Sequence, residues 1–401
     1  MIAALRRLAR ERGLSVWLVG GAPRDALLGL PALDLDVAVP AQPRAAEDLA
    51  RALASAGFGT LVALSEEPPR VYRVAGRRHM VDLAELERRT ITEDLGRRDF
   101  TANALAIDLS TGQWLDPYAG TDDLARRRLR LVRRENLSDD PLRTFRAARF
   151  VATHGLAPDR AVSEACRAFG PRLAQVAPER IGAELTRLLE APRIVPAWRF
   201  AVRTGLLSPA LRPGTPAGLW KAAGRTLSCL EPDPAARLPA DRRRILRLAA
   251  IARALGLGPG EAAAWLRHLR RGSGEAGRVA RLLEAEGAAA RLEPSAGPWA
   301  WIHDSGDAAE DALFLLVAER PAARSLARRL RLALASARRR RRARGWPEVS
   351  GSDVMAWTGG APGPKIGRLL RDARIEILAG RILSRGAARR WAEGRAASTT
   401  P

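Results

Sequence analysis

Cysteine, histidine and long apolar runs are scarce in this chain of 401 residues. The two cysteines, Cys166 and Cys229, are too few for a disulfide framework or a thiolate metal site, and we expect both to be buried and reduced. The four histidines disfavour any mechanism that needs a cluster of imidazoles. The longest apolar run, residues 312–318, is much shorter than the ~18 residues of a membrane span. Arginines interrupt the apolar stretches near residue 1, so no signal-peptide core is predicted, and we expect a cytoplasmic protein that makes no use of a membrane.

Positive charge is abundant, and nearly all of it is arginine. The 67 lysines and arginines exceed the 44 aspartates and glutamates, which gives a formal net charge of +23, and only Lys221 and Lys365 are lysines. A domain this basic attracts polyanions in a salt-dependent way, which favours nucleic acid or an anionic membrane surface as the partner. The 47% of hydrophobic residues and the 28% of charged residues are ordinary for a globular chain and exclude wholesale disorder.

The pattern of apolar residues changes about a third of the way along the chain. Short apolar runs first alternate with helical segments, which predicts strands at 16–19, 33–39, 71–74 and 80–83 and helices at 24–30 and 45–56. From about residue 133 onward, apolar residues recur at three- and four-residue spacing, and prolines precede several of these segments, which is typical of helices. The sequence therefore predicts an α+β fold: a mixed sheet with helices first, then an all-helical remainder.

A glycine pair lies between the first predicted strand and the first predicted helix. Gly20 and Gly21 allow the backbone to approach a ligand closely, and the amides at the following helix N-terminus can point at a phosphate. Arg24 could supply charged donors to the same oxygens. Such junctions are often only tight turns, so the segment indicates a nucleotide site only if other signals accompany it.

Two aspartates, Asp34 and Asp36, interrupt the apolar run that follows. On a strand, residues two apart project to the same face, so Leu33, Leu35 and Val37 would be buried while the two carboxylates share the other face. Carboxylates this close repel each other unless a cation neutralises them, and hard oxygen ligands at this spacing suit Mg²⁺ completed by substrate phosphates. The alternative is a solvent-exposed edge strand. The glycine pair shortly before the aspartates favours the magnesium interpretation.

These residues resemble a known family of nucleotidyltransferases. Gly20-Gly21-x-x-Arg24-Asp25 followed by Asp34-x-Asp36 is similar to the first motif of the DNA polymerase beta superfamily. Four later segments are similar to the second to fifth motifs of class II tRNA nucleotidyltransferases and bacterial poly(A) polymerases: residues 97–104, 116–124, 139–150 and 178–181. The final segment, residues 350–367, also resembles the tail of this family.

The resemblance implies that an RNA 3′-hydroxyl attacks the α-phosphate of a nucleoside triphosphate and releases pyrophosphate. Asp34 and Asp36 would be catalytic and would hold two Mg²⁺ ions, one activating the hydroxyl and one neutralising the leaving phosphates. Superfamily members usually add a third acidic group, for which Asp82 is the candidate, with an exposed structural acid as the alternative. Arg98 would contact the sugar or phosphates of the nucleotide, and Asn103 would support the same pocket.

The segment similar to the fourth motif would select the base. Cytosine and adenine offer an amine donor beside a ring-nitrogen acceptor, whereas uracil and guanine present a carbonyl and an N–H. Asp140 accepting from the amine and Arg143 donating to the ring nitrogen would therefore admit CTP and ATP and reject UTP and GTP. Arg146 and Arg149 follow at three-residue spacing and would reach toward the phosphates. Asp139 stands where the family usually has glutamate.

The resemblance also implies the domain organisation and the partners. A nucleotidyltransferase head over residues 1–132 would precede a neck over 133–205, a body over 206–345 and a tail over 346–401. The polyanion would be tRNA, bound through its acceptor stem and T arm, with CTP and ATP as nucleotides and no obligate protein partner. A run of arginines in the body, otherwise readable as a solvated face, would contact the RNA backbone: Arg338, Arg339, Arg340, Arg341 and Arg342.

Three alternatives remain open beside a CCA-adding enzyme. Members of the family that add the terminal adenosine carry a longer flexible loop before the second motif, and residues 84–96 leave little room for one, which keeps a CC-adding enzyme open. A poly(A) polymerase is disfavoured because residues 62–67 do not match the basic hallmark of that branch. A catalytically idle RNA-binding protein is disfavoured by the intact acidic residues of the motifs.

Overall fold

The computed structural model describes residues 1–32, 34–77, 79–231, 238–293, 297–342 and 345–398. The chain divides into two compact units, Met1–Thr215 and Pro216–Pro401. Leu33, the predicted first residue of the second strand, lies outside the described residues. The predicted boundaries of head, neck, body and tail stay predictions.

The first unit begins with a mixed sheet and its helices. Its strands are β1 Trp17–Val19, β2 Asp34–Val39, β3 Thr60–Ser65, β4 Val71–Ala75, β5 Met80–Glu85, β6 Ala106–Asp108 and β7 Trp114–Leu115, with a small pair formed by β8 Arg128–Leu129 and β9 Ala157–Pro158. Its first helices are α1 Ile2–Glu11, α2 Gly21–Leu27, α3 Ala45–Ser55, α4 Ile91–Leu95 and α5 Gly120–Ala125, and a 3₁₀ turn spans Thr101–Asn103.

The strand order of the seven-stranded sheet is β3-β4-β5-β2-β1-β6-β7. β2 pairs antiparallel with β1 and parallel with β5, so it lies in the middle of the sheet. Apolar residues of α1 and α3, such as Leu5 and Leu49, pack with Leu35 and Val37 of β2 in a buried cluster. A second cluster around Leu95 also receives residues of the sheet. The core therefore fixes β2 rigidly, and with it the face that carries the two aspartates.

The rest of the first unit is helical, with α6 Glu135–Asp139, α7 Leu142–His154, α8 Arg160–Phe169, α9 Pro178–Glu190, α10 Val195–Thr204 and α11 Leu207–Leu211. The longest of the apolar stripes lies on α7, where Phe145 and Phe150 are fully buried. Pro141 precedes this helix, and Gly155 ends it in the left-handed conformation with φ +64°. Local capping chemistry thus defines both ends of the helix that carries the predicted base-reading residues.

The second unit is helical throughout its described residues. Its helices are α12 Ala217–Leu230, α13 Ala240–Ala254, α14 Pro259–His268, α15 Ser273–Ala290, α16 Trp299–Ser305, α17 Ala309–Glu319, α18 Arg324–Arg342, α19 Gly351–Thr358, α20 Pro364–Ala379 and α21 Arg385–Ala397. One buried cluster joins α15, α17 and α18 through residues such as Leu313 and Leu330. A separate cluster around Val354 and Ile377 holds the last three helices together.

The predicted α+β fold class is confirmed, with two corrections to smaller expectations. Strand β3 was missed, and it forms the edge of the sheet with most of its side chains exposed. Cys166 is buried, and burial raises the pKa of its thiol to about 12, whereas Cys229 is exposed, contrary to the expectation of two buried thiols. Across the described part of the chain, no helix is long and apolar enough to cross a membrane.

Candidate active site

The glycine pair approaches the aspartate strand closely. Gly20 follows β1 and has φ +70°, a left-handed conformation that favours glycine. A Cβ atom at this position would lie 2.7 Å from Oδ2 of Asp36 and 3.4 Å from a terminal guanidinium nitrogen of Arg98. Glycine is therefore required at position 20, both for its backbone conformation and for the space that the carboxylate occupies.

Asp34 and Asp36 share one face of β2, as the two-residue spacing predicts. Leu35 and Val37 are buried on the opposite face, whereas Asp34 is exposed and Asp36 is half-buried. Because β2 lies between β1 and β5, the alternative of an exposed edge strand is excluded. The two carboxylates therefore open into a cleft from the rigid centre of the sheet.

The environment of Asp36 disfavours its ionised form. Burial is the largest cause of a raised pKa for this carboxyl group, and the nearby Asp82 and Asp34 raise it further. Arg98 and Arg24 oppose these effects without cancelling them. A buried carboxyl group with two acidic neighbours gains strongly from a divalent cation, which neutralises the repulsion.

Asp82 is adjacent to the aspartate pair but is already bound by an arginine. The parallel register sets Asp82 beside Asp36 on β5. However, its two carboxylate oxygens accept hydrogen bonds from Nε and a terminal nitrogen of Arg73 on β4, both at 2.7 Å. In this arrangement Asp82 is the partner of Arg73, and its proposed role as a third catalytic acid stays a prediction.

The donor set suits a metal that the substrate helps to bind. Among the residues that the structure describes, no group of three or more His, Cys, Asp or Glu side chains is arranged to hold a metal ion. Mg²⁺ binds proteins through one or two carboxylates and takes its remaining ligands from water and phosphates. Asp34 and Asp36 therefore fit Mg²⁺ that binds together with a nucleotide.

A cleft of about 570 Å³ collects most of the predicted site residues. The predicted residues that line it are Gly20, Gly21, Arg24, Asp34, Asp36, Arg98, Asn103, Arg143, Arg146 and Arg149. Asp82 and Asp140 are the two predicted site residues of this unit that lie outside the lining. Lining residues for which the sequence indicated no role are Asp25, Pro31, Glu87, Asp94, Arg97, Asp99 and Arg187.

Arg24 is held in a fixed orientation at the wall of this cleft. Its Nε donates to Oδ1 of Asp25 at 2.8 Å, and a terminal nitrogen donates to Oδ1 of Asn103 at 2.6 Å. Asn103 in turn donates to Asp99 at 3.0 Å. Arg24 itself is only 8% exposed. A buried guanidinium oriented this rigidly is well suited to recognise phosphate oxygens.

Asp99 connects the second motif to the arginines of α7. It is 3% exposed, and its Oδ2 lies 3.3 Å from Nε of Arg146. Burial disfavours its charge, but Arg146, the Asn103 amide and the Phe100 backbone N–H outweigh burial and lower its pKa. The next arginine on the same helix, Arg149, donates to Glu184 at 2.6 Å. The basic row on α7 is therefore locked in place by buried carboxylates.

Asp140 and Arg143 stand side by side at the start of α7. Nε of Arg143 lies 4.0 Å from Oδ2 of Asp140, and a terminal nitrogen of Arg143 donates to the carbonyl oxygens of Arg97 and Asn136 at 2.7 and 3.0 Å. Arg180, in the segment similar to the fifth motif, donates to Oδ2 of Asp140 at 2.8 Å. The motif was recognisable in the sequence, but this contact of Arg180 depends on the packing of α9 against α7.

The arginine run predicted to contact RNA lies at the end of α18. Arg338, Arg339, Arg341 and Arg342 are exposed, and Arg338 pairs with Glu310 at 3.2 Å. Arg340 is half-buried because it donates to the carbonyl oxygen of Leu378 at 2.5 Å and lies over the ring of Trp299. The contacts of Arg340 within the protein give it a structural role, while the four exposed arginines form a basic surface.

Two segments of the chain match known families. Residues 16–130 match the family described as the Poly A polymerase head domain. Residues 155–217 match the family described as the probable RNA and SrmB- binding site of polymerase A. The first match contains the glycine pair and the aspartate strand, and the second begins directly after α7.

Proteins with related sequences align over the first half of the chain. A CC-adding tRNA nucleotidyltransferase of Geobacter sulfurreducens is 41% identical over 199 residues, which cover 47% of this chain and 44% of that protein. A CCA-adding enzyme of Streptococcus pyogenes is 34% identical over 204 residues, which cover 48% of this chain and 49% of that protein. The chain thus spans about half the length of the curated relatives it matches.

The likeness in three dimensions extends further along the chain. The crystal structure of the Bacillus stearothermophilus CCA-adding enzyme in complex with CTP aligns with a TM-score of 0.76 and 25% identity, covering 99% of this chain and 97% of that chain. The ordered motifs, the two family matches and this shared fold agree with one another. The chain belongs to the family of class II tRNA nucleotidyltransferases and bacterial poly(A) polymerases.

Proposed function

We propose that this protein is a template-independent tRNA nucleotidyltransferase that adds C and A from CTP and ATP to build or repair the 3′-terminal CCA and releases pyrophosphate. The observation that carries this proposal is one cleft in which Asp34 and Asp36 face Gly20 and a row of fixed arginines. Acidic metal ligands opposite oriented phosphate donors are the combination that nucleotidyl transfer requires. As a tRNA-processing enzyme, it would act in the cytoplasm.

The aspartates would hold the metal and the arginines would hold the nucleotide. Mg²⁺ bound by Asp34 and Asp36, as a two-metal site, would supply activation of the RNA 3′-hydroxyl and neutralisation of charge on the phosphates. Arg24 and Arg98 would bind the phosphates, with Arg24 kept in position by Asp25 and Asn103. The chemistry of the chain is then mainly positioning and electrostatic stabilisation.

Asp140 and Arg143 would select the base. An acceptor beside a donor complements the pairing edges of cytosine and adenine and opposes those of uracil and guanine. The hydrogen bonds of Arg143 to two backbone carbonyls and of Arg180 to Asp140 would restrict both side chains to one orientation. A fixed pair of this kind would explain nucleotide choice without a template.

The exposed arginines of α18 would bind the tRNA backbone at its acceptor stem and T arm. Arg339, Arg341 and Arg342 extend a helix whose exposed face is strongly basic, and a nucleic-acid substrate is independently implied by the cleft. Crystal structures of similar fold include a Thermotoga maritima CCA-adding enzyme complexed with tRNA. No obligate protein partner is part of the proposal.

A second candidate is a CC-adding enzyme, and one observation favours it. Only residues 86–90 connect β5 to α4, and Thr90 and Glu93 close the connection with a reciprocal capping box. Glu87 in this connection forms an ion pair with Arg97, next to the backbone carbonyl that binds Arg143. The Geobacter relative, named a CC-adding enzyme, is also more similar in sequence than the CCA-adding enzyme of Streptococcus pyogenes.

Product length separates these candidates. Purified protein is given Mg²⁺, labelled CTP or ATP, and tRNA transcripts that end at the discriminator base, at C or at CC. The proposal predicts two C additions to the first transcript and one A addition to the last. Absence of A addition with intact C addition would select the CC-adding enzyme, long A tails on unrelated RNA would select a poly(A) polymerase, and tRNA binding without any addition would select an idle RNA-binding protein.

A further inference from the structure

A histidine at the end of α7 lies directly behind the wall of the nucleotide cleft. The side chain of His154 is 7% exposed, and its Nε2 lies 3.5 Å from Oδ1 of Asp25 on α2. Its Nδ1 lies 2.7 Å from Oγ1 of Thr153, and its ring stacks on Phe150 with centroids 5.1 Å apart. The imidazole is therefore held on three sides and points one nitrogen at the carboxylate of Asp25.

The same carboxylate orients Arg24. Oδ1 of Asp25 accepts a hydrogen bond from Nε of Arg24 at 2.8 Å and lies 2.8 Å from a terminal nitrogen of the same guanidinium. Phe150 supports both partners, because the Arg24 guanidinium lies 5.3 Å from the centroid of the ring on which His154 stacks. Three side chains thus form a continuous path from the end of α7 to the phosphate-binding face of the cleft.

We propose that His154 is a positioning residue of the nucleotide site, which through Asp25 fixes the guanidinium of Arg24 in the orientation that binds the phosphates of the incoming nucleotide. The inference rests on the nucleotide-binding cleft of the proposed function. It assigns no direct contact with substrate to His154. Without the imidazole, Asp25 would lose one of the groups that hold it, and the orientation of Arg24 would be less restricted.

Charged groups around the imidazole keep it neutral near pH 7. Burial lowers the pKa of His154, and the positive charges of Arg24 on α2 and Arg149 on its own helix lower it further, while Asp25 raises it in part. Arg127, in the segment after α5, binds the backbone carbonyl of His154. In the neutral ring, Nε2–H donates to Asp25 when the Thr153 hydroxyl donates to Nδ1.

Protonation changes how this carboxylate is shared. When His154 gains a proton at low pH, both ring nitrogens donate, and the Thr153 hydroxyl can then donate only to the Arg149 carbonyl, 2.9 Å away. Asp25 then faces a second full positive charge that competes with Arg24 for the same oxygen. The affinity for the nucleotide should therefore fall as pH decreases, through a component that disappears when residue 154 cannot titrate.

Two substitutions of the full-length protein test the proposal. His154→Leu retains packing against Phe150 but removes the donor, whereas His154→Gln retains an N–H donor close to the position of Nε2 and cannot titrate. His268→Leu and His268→Gln are matched controls, because His268 is exposed near the end of α14 in the other unit. Measurements are the calorimetric Kd for CTP with Mg²⁺, the KM and kcat of C addition at saturating tRNA, and the melting temperature.

We expect His154→Leu to raise the Kd and KM for CTP by about 3- to 10-fold with kcat within about twofold, and His154→Gln to restore the wild-type values near pH 8. Between about pH 8 and pH 5.5, the ratio of the wild-type Kd to that of His154→Gln should rise. The ratio removes titration of CTP itself. An unchanged Kd in His154→Leu, or an equal defect in Leu and Gln variants with a lower melting temperature, would overturn the proposal.

The deciding measurement is CTP binding, which separates this inference from the proposed function. Binding that follows the expected pattern in a protein unable to extend tRNA would support His154 and refute the nucleotidyl transfer. Normal C addition with a CTP affinity indifferent to residue 154 would do the reverse. A wild-type protein that does not bind CTP would refute both.

Discussion

Gly20→Ala is the substitution whose effect follows most directly from the geometry of the cleft. The new Cβ would lie 2.7 Å from Oδ2 of Asp36, so the carboxylate must move by about 0.7 Å to reach an ordinary contact of 3.4 Å. The left-handed backbone at φ +70° adds strain of about 1–2 kcal/mol for alanine. A displacement of this size in a metal-binding carboxylate should lower kcat of nucleotide addition by about 100-fold.

Gly112→Ala is the matched control for this prediction. Gly112 lies in the turn between β6 and β7 with φ +80°, and a Cβ there meets nothing within 4 Å. Both variants should lose about 1–2 kcal/mol of unfolding free energy in urea, because both carry the same type of backbone strain. Only Gly20→Ala should lose activity in the labelled CTP assay. Wild-type kcat in Gly20→Ala would refute the close approach of the loop to Asp36.

Three further predictions concern the base, the buried acid and the RNA. Arg143→Ala should increase UTP incorporation relative to CTP, measured with labelled nucleotides on a tRNA primer; unchanged rejection of UTP would contradict the base-reading role. Asp99 has a lowered pKa, so its contribution to stability is present above its unfolded value of 3.8 and is lost as pH falls through the folded value. The stability difference between wild type and Asp99→Asn in urea should therefore shrink below about pH 4, and a constant difference would refute it. Arg341→Ala combined with Arg342→Ala should reduce the salt slope of tRNA binding by about one unit per phosphate contact, whereas an unchanged slope would exclude them from the interface.

The features that the sequence could predict are those that depend on short spacing. The two-residue spacing of Asp34 and Asp36 defines a shared face whatever surrounds the strand, and the structure has both on one side of β2. Helix α7 was predicted with its observed bounds, because its apolar spacing is regular and Pro141 and Gly155 mark its two ends. In both cases the local pattern and the tertiary packing favour the same structure.

The features that could not be predicted depend on the register of strands and the docking of helices. The pairing of Arg73 with Asp82 exists because β4 and β5 align these residues across an antiparallel ladder, and no spacing rule reveals that register. The contact between His154 and Asp25 joins the end of one helix to a distant helix in the same unit. Strand β3 lacked a signal because its exposed side chains do not alternate in polarity.

The central claim is that Asp34 and Asp36 drive nucleotidyl transfer to tRNA 3′ ends, and single-turnover C addition tests it most directly. Asp34→Asn and Asp36→Asn are compared with Asp122→Asn, an exposed aspartate on α5 with a side chain 65% exposed. We predict that each of the first two variants loses at least about 1,000-fold in rate while its Kd for tRNA and its melting temperature stay near wild type, and that Asp122→Asn is unchanged. Near-wild-type rates in Asp34→Asn and Asp36→Asn would contradict the account.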